Sequence, residues 1–199
     1  MHSEDRQADQ PQIDPAQASR FVVVSGPTAV GKGTVVSRLS QEHPEVFVSV
    51  SVTTRPARPG EAEGEHYYFV DDSAFDRLVA DGELLEWALV HATARYGTPR
   101  GPVLQAVRAG RTAILEIDVQ GARQVRRSWP GARFVFLTPP SWHELERRLV
   151  GRGTETAEQQ QGRLATAREE LAEESWFDHV VVNRTVDQAV RDLVDYLGL

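Results

Sequence analysis

Apolar positions along the chain recur in two registers. Short continuous β-branched and aromatic runs at 21–24, 112–118 and 134–137 read as strands buried on both faces, the second ending in acid at Glu116 and Asp118. The stretch 46–54 alternates through Phe47, Val48, Val50 and Val52 and predicts one strand; 66–70, 83–90 and 179–182 predict further extended segments, the second leading to Tyr96-Gly97-Thr98-Pro99. Helical spacing follows the first strand over 35–39. It returns over 74–80, with Asp72 or Ser73 as cap and Gly82 beyond the end, and over 102–109, between a proline and Gly110. Later helices are expected over 122–127, from the Ser141/Glu144 capping-box pair to about 150, over about 156–174 and over 186–197. Strands alternating with helices at both ends imply an α/β domain with a largely parallel sheet, and the loop-rich middle, 50–100, reads as an inserted lobe.

Composition narrows this picture. The 199 residues are 40% hydrophobic and 26% charged, ordinary for one domain with small inserted lobes. A formal charge of −7 argues against nucleic acid or an anionic membrane as the main partner, so an anionic substrate must be caught by local arginines. With no cysteine there is no disulfide, no thiol chemistry and no cysteine zinc site. No apolar run approaches the ~20 residues of a membrane span. Residues 1–19 are poor in large apolar side chains and lack the apolar core of a secretory signal, which predicts a disordered tail and a cytoplasmic protein.

The first strand runs into Ser25-Gly26-Pro27-Thr28-Ala29-Val30-Gly31-Lys32-Gly33-Thr34 and then into a helix, the context in which G-x-x-x-x-G-K forms a phosphate cradle. Loop amides and the positive end of the helix face the anion, and Lys32 adds a point charge. The hydroxyl comes one position later than usual, at Thr34, so magnesium coordination there is left open. A glycine turn that binds nothing is the bland alternative.

Four further clusters bear on the reaction. Arg55 and Arg58 stand in a proline-stiffened loop with Tyr67 downstream, and two guanidiniums so spaced can fork onto one phosphate or stay as solvated surface charges. Glu86 lies between Leu85 and Trp87, where a carboxylate needs a partner. The adjacent N–H groups of guanine would supply two donors and adenine would not, whereas an ordinary salt bridge would serve equally well. Glu116 and Asp118 end a buried strand, the magnesium-side pattern of loop-type phosphotransferases, although Asp118 could simply cap the next helix. Arg147, Arg148, Arg152 and Arg163 surround a Gly-x-Gly break, as in a lid closing over polyphosphate or as solubilising surface charge.

The chain resembles the guanylate kinases, ATP:GMP phosphotransferases of the nucleoside monophosphate kinase group. The matching stretches are SGPTAVGKGT, SVSVTTRPARPGE, EGEHYYF, GELLEWA, YGTPR, LEIDVQGARQVR, FLTPPS, LERRLVGRGTET and FDHVVVN, in family order over nearly all of 20–198. The resemblance implies the P-loop nucleoside monophosphate kinase fold. Its parts would be a core (20–49, 100–140 and 175–198), a GMP-binding lobe (50–99) and a lid (about 141–174). It implies that Gly26, Pro27, Thr28, Ala29, Val30, Gly31, Lys32, Gly33 and Thr34 hold the ATP phosphates, with Asn183 near the adenine. Arg55, Arg58, Tyr67 and Tyr96 would hold the GMP phosphate, and Ser51, Glu86, Thr98 and Asp118 would read guanine. Arg148, Arg152 and Arg163 would be lid arginines, catalytic together with Lys32, and Mg2+ would sit near Thr34 and Glu116. ATP and GMP, with dGMP, are the implied partners. A guanylate-kinase-like peptide-binding module and a kinase for another nucleoside monophosphate are the alternatives. The chain departs from the family at Ala29, where glycine is usual, in the loop 92–96, longer by one residue, and at Arg184-Thr185, where an acidic pair is usual.

Overall fold

The computed structural model describes residues 15–90, 93–150 and 157–199. Five strands form the core sheet: β1 (Phe21–Ser25), β2 (Phe47–Val48), β7 (Ala113–Glu116), β8 (Arg133–Thr138) and β9 (His179–Val182). They are parallel throughout and lie in the order β2-β7-β1-β8-β9. Because β1 is central and buried along its whole length, its side chains divide between two cores. Phe21 and Val23 join Leu115, Phe134 and Phe136 beneath helices α4 (Arg100–Arg108) and α5 (Val119–Ser128). Val22 and Val24 join Ile114, Val135 and Leu137 beneath α2 (Lys32–Glu42) and α8 (Val186–Leu197). Each fully buried Val, Leu or Phe of these clusters contributes about 1.5–3 kcal/mol, so the two layers outweigh any polar term in holding the sheet.

A second sheet of four strands builds the lobe, in the order β4-β3-β6-β5, from β3 (Ser51–Thr53), β4 (Tyr67–Phe69), β5 (Leu84–Val90) and β6 (Ala94–Pro99). Helix α3 (Asp72–Ala80) seats Phe75 against Val52 and Leu84 to give the lobe its own small core. The remaining helices are α1 (Pro15–Ala18), α6 (Trp142–Val150) and α7 (Ala157–Ala172). Among the described residues no helix is long and apolar enough to cross a membrane.

Three expectations change. The strand over 46–54 is two strands in two sheets: Phe47 and Val48 pair with β7, whereas Ser51–Thr53 pairs with β4 and β6. Alternation is the same in both pieces, so it could not mark the crossing between sheets. Helix α3 is capped one residue earlier than expected, by the Asp71 carboxylate accepting from the Ala74 amide, while Ser73 donates to that same carboxylate. Within the stretch expected to be a tail, Pro15–Ala18 forms one helical turn whose last residue, Ala18, is buried.

Candidate active site

The glycine loop leaves the carboxyl end of β1 at the centre of the sheet, the edge where open α/β sheets bind ligands. Helix α2 starts at Lys32, three residues earlier than expected, on Gly31 at φ 96° with no side-chain cap. Its first-turn amides are therefore left for an anion. Gly26 stands at φ 145°, and a Cβ there would lie 2.2 Å from the Leu137 carbonyl oxygen, so only glycine lets the loop pass β8. Ala29 adopts φ 64°, the left-handed region, among the described residues the one non-glycine to do so. Ala29→Gly is expected to stabilise the protein by about 0.5–1 kcal/mol, left-handed strain outweighing the added chain entropy, as thermal melts would read. A lower melting temperature would contradict it.

The Lys32 ammonium donates to the carbonyls of Gly26 (2.6 Å) and Pro27 (3.3 Å), folded over the loop. The Thr28 amide, expected to meet phosphate, is taken by the Glu170 carboxylate of α7 at 2.9 Å. Burial raises the carboxyl of Glu170, opposed by Lys32 nearby. Sequence reasoning missed Glu170, although it follows Arg163 by seven residues, two turns along the same helix face.

A cavity of about 370 Å³ opens between loop, lobe and α7. Its walls bring together Thr28, Ala29, Gly31, Lys32, Gly33 and Thr34 of the loop with Ser51, Arg55, Arg58, Tyr67, Glu86 and Tyr96 of the lobe, Glu116 and Asp118 after β7, and Arg163 with Glu170 on α7. In the lobe wall the Arg55 guanidinium donates to the Tyr96 hydroxyl (2.9 Å), lies 4.8 Å from the Tyr67 ring centroid and forks onto both Glu61 oxygens at 2.6 and 2.7 Å. That pairing pulls the Glu61 carboxyl down to about 2. Glu61 also accepts from the Arg58 amide, so a carboxylate missed in the sequence sits on the basic loop. Tyr96 faces the cavity despite the altered loop before it, of which 91–92 lie outside the described residues.

Glu86 is 5% exposed. The pairing of β5 with β6 shifts between Leu84 and Trp87, a bulge that buries Leu84, Leu85 and Glu86 in succession and turns the carboxylate inward. The Thr98 hydroxyl donates to Glu86 Oε1 at 2.6 Å, and no cation pairs with Glu86 among the described residues. Burial pushes its carboxyl up to about 7, and the neighbouring Asp118 pushes the same way. Asp118 does two things: it lines the cavity and caps α5, its Oδ1 accepting from the Gly121 amide at 2.7 Å. Thr98 itself stands behind Glu86, off the wall.

Other expected residues are placed elsewhere. Gly26, Pro27 and Val30 form the back of the loop. Asn183 is buried and donates its side-chain amide to the Val30 carbonyl at 2.8 Å. Arg148 donates to the same carbonyl (3.2 Å), to the Asn183 carbonyl (3.3 Å) and to Glu144 (2.8 Å), which holds it behind the loop and off the cavity wall. Arg152 lies outside the described residues.

Thr34 and Glu116 offer the oxygen set for a divalent cation. Burial raises the Glu116 carboxyl, Lys32 opposes this, and no hydrogen bond reaches that carboxylate among the described residues. A hydroxyl and a carboxylate are hard oxygen donors, the kind that Mg2+ takes beside phosphates and water.

A family profile described as guanylate kinase matches residues 18–198. A guanylate kinase of Cutibacterium acnes is 64% identical over 178 residues, 89% of each chain. That of Leifsonia xyli is 60% identical over 177 residues, covering 89% of this chain and 70% of the relative. The crystal structure of guanylate kinase from Anaplasma phagocytophilum superposes with a TM-score of 0.75 at 34% identity, covering 89% of this chain and 84% of that one. With the glycine loop after β1, the buried Glu86 beside Asp118 and this likeness along one chain, the protein belongs to the guanylate kinase family.

Proposed function

We propose that this protein transfers the γ-phosphoryl group of Mg-ATP to GMP, giving ADP and GDP, in the cytoplasm. One observation carries the reading: the walls of a single cavity bring together the glycine loop with Lys32, the Arg55, Arg58 and Tyr67 cluster, the buried Glu86 carboxylate and the half-buried Asp118. Two carboxylates suit the N1–H and N2–H donors of guanine, and adenine would leave a buried acid without a donor. The Thr98 hydroxyl orients Glu86, and Ser51 lies on the wall to meet the base.

The acceptor oxygen on GMP is anionic near neutral pH, so no general base is required and the work is positioning and charge neutralisation. Arg55 and Arg58 with Tyr67 and Tyr96 hold the acceptor phosphate. Binding exchanges Glu61 for phosphate on Arg55, one anion for another. Loop amides and Lys32 hold the donor phosphates, Glu170 giving up the Thr28 amide, and Arg163 approaches from α7. Thr34 and Glu116 would hold Mg2+, which when bound offsets charge on the donor phosphates. Arg148 and Asn183 brace the loop from behind, and closure of the lid excludes water.

Coupled detection of ADP with ATP and a panel of GMP, dGMP, IMP, AMP, CMP and UMP tests this. GMP is expected to exceed AMP in kcat/KM by about a thousandfold or more. Equal turnover of AMP would remove the guanine assignment. GMP binding without ADP release would favour a peptide-binding module on this fold.

A further inference from the structure

The Glu86 carboxylate belongs to the lobe, where Thr98 holds one of its oxygens, but the other lies against helix α5 of the core. Strand β5 is the outer strand of the lobe sheet, so along its open side its amides and carbonyls have no neighbouring strand. At Trp87, the residue next to Glu86, the Gln124 side chain of α5 supplies one. Its Oε1 accepts from the Trp87 amide (3.3 Å) and its Nε2 donates to the Trp87 carbonyl (2.6 Å), reproducing with one carboxamide the two-bond exchange between paired strands. One turn earlier on the same helix, Gly121 presents no side chain. A Cβ there would lie 2.5 Å from Glu86 Oε2, too close to be tolerated without a shift of the carboxylate, and 3.1 Å from its Cδ. The Glu86 carboxylate thus rests on the first turn of α5, where the helix favours negative charge. Asp118, Gly121 and Gln124 recur every third residue, along one side of that helix.

We propose that this side of α5 is a template for guanine selection, with Gly121 and Gln124 as positioning residues that fix Glu86 without touching substrate. Gly121 admits the carboxylate to the helix; Gln124 sets where along the helix the bulged strand is held. This rests on the assignment of Glu86 to guanine. Base selection is thereby a property of the lobe-to-core junction. A bulkier residue at 121 displaces the acid, and loss of the carboxamide at 124 lets β5 slide.

The test measures KM for GMP and for ATP separately, and the ratio of kcat/KM for GMP over IMP, which lacks the 2-amino donor. Gly121→Ala is expected to raise the GMP KM and lower the ratio, each by about tenfold or more, with the ATP KM within about twofold. Gln124→Ala should move the same quantities by about three- to tenfold, and Gln124→Glu, equal in size but unable to donate to the Trp87 carbonyl, should not restore them. If Gly121→Ala does not fold, the Gln124 variants decide. Folded variants with an unchanged GMP KM and ratio overturn the proposal, as does a joint shift of both KM values, which marks general loosening. Wild-type protein inactive on GMP, or Glu86→Gln with an unchanged ratio, would remove the underlying reading and this proposal with it. If GMP activity and the Glu86 effect both hold, failure of the α5 variants counts against the template alone.

Discussion

Lys32→Ala is expected to lower turnover by about a thousandfold while the melting temperature stays within a few degrees of wild type. A unit charge about 4 Å from a phosphate oxygen contributes about 4 kcal/mol at the effective dielectric of a partly buried site, and about 1.4 kcal/mol is tenfold in rate. That interaction matters most while charge is redistributing along the transferring group. The folded protein loses less. In the ligand-free loop Lys32 binds two carbonyls, of Gly26 and Pro27, and net hydrogen bonds of this kind contribute about 1 kcal/mol each. Nearby Glu116 and Glu170, already raised by burial, lose the cation that opposes this and take up protons more readily, which limits the penalty of leaving them there. Single-turnover kinetics beside a thermal melt separates the two effects. Turnover close to wild type in a folded Lys32→Ala protein would refute the role of the lysine.

Glu86→Gln is expected to cut kcat/KM for GMP by about a thousandfold and to raise stability at alkaline pH. The amide keeps one acceptor but turns an N–H toward a base that itself presents N–H groups, so a charge-assisted bond becomes a clash of donors. Stability moves the other way. The carboxyl rises from 4.5 to about 7 on folding, so its contribution is fully present below the lower value and is lost as pH climbs through the upper one. Above that point wild type carries a buried, unpaired charge and the amide variant carries none. The difference is on the order of 2 kcal/mol, or roughly 4–8 °C for a chain of this size. Melts at pH 5 and pH 8 should show the variant gaining only at the higher pH. An equal gain at both would mean that Glu86 does not titrate as its burial requires. In wild type the GMP KM should climb as pH falls below about 7, because the protonated acid accepts one hydrogen bond fewer.

How much of this was legible in the sequence follows from where the signals are local. Phe21–Ser25, Ala113–Glu116 and Arg133–Thr138 announce themselves because strands buried on both faces need unbroken apolar runs. The glycine loop is readable because Gly26 and Gly31 each answer to a backbone demand. Lys32, Arg55, Arg58, Tyr67, Glu86 and Asp118 were readable from charge in unusual company, and all six reach one cavity. Asp118 also fulfils the capping alternative, so the two readings were never exclusive. What escaped depends on partners far apart in the chain. The bulge at Glu86 is a mismatch between β5 and β6, invisible in either strand alone. Glu170 meets Thr28 across 142 positions. Arg148, expected over the cavity, instead ends α6 within reach of the carbonyls of Val30 and Asn183, which no spacing in the sequence encodes.

The order of strands in the core sheet has an effect on biosynthesis. Strand β1 is made early, yet both neighbours that hydrogen-bond to it, β7 and β8, are made only after the entire lobe. A nascent chain that has not passed Thr138 therefore carries the complete glycine turn with no finished floor beneath it. Nucleotide capture must wait on segments translated well after the turn itself.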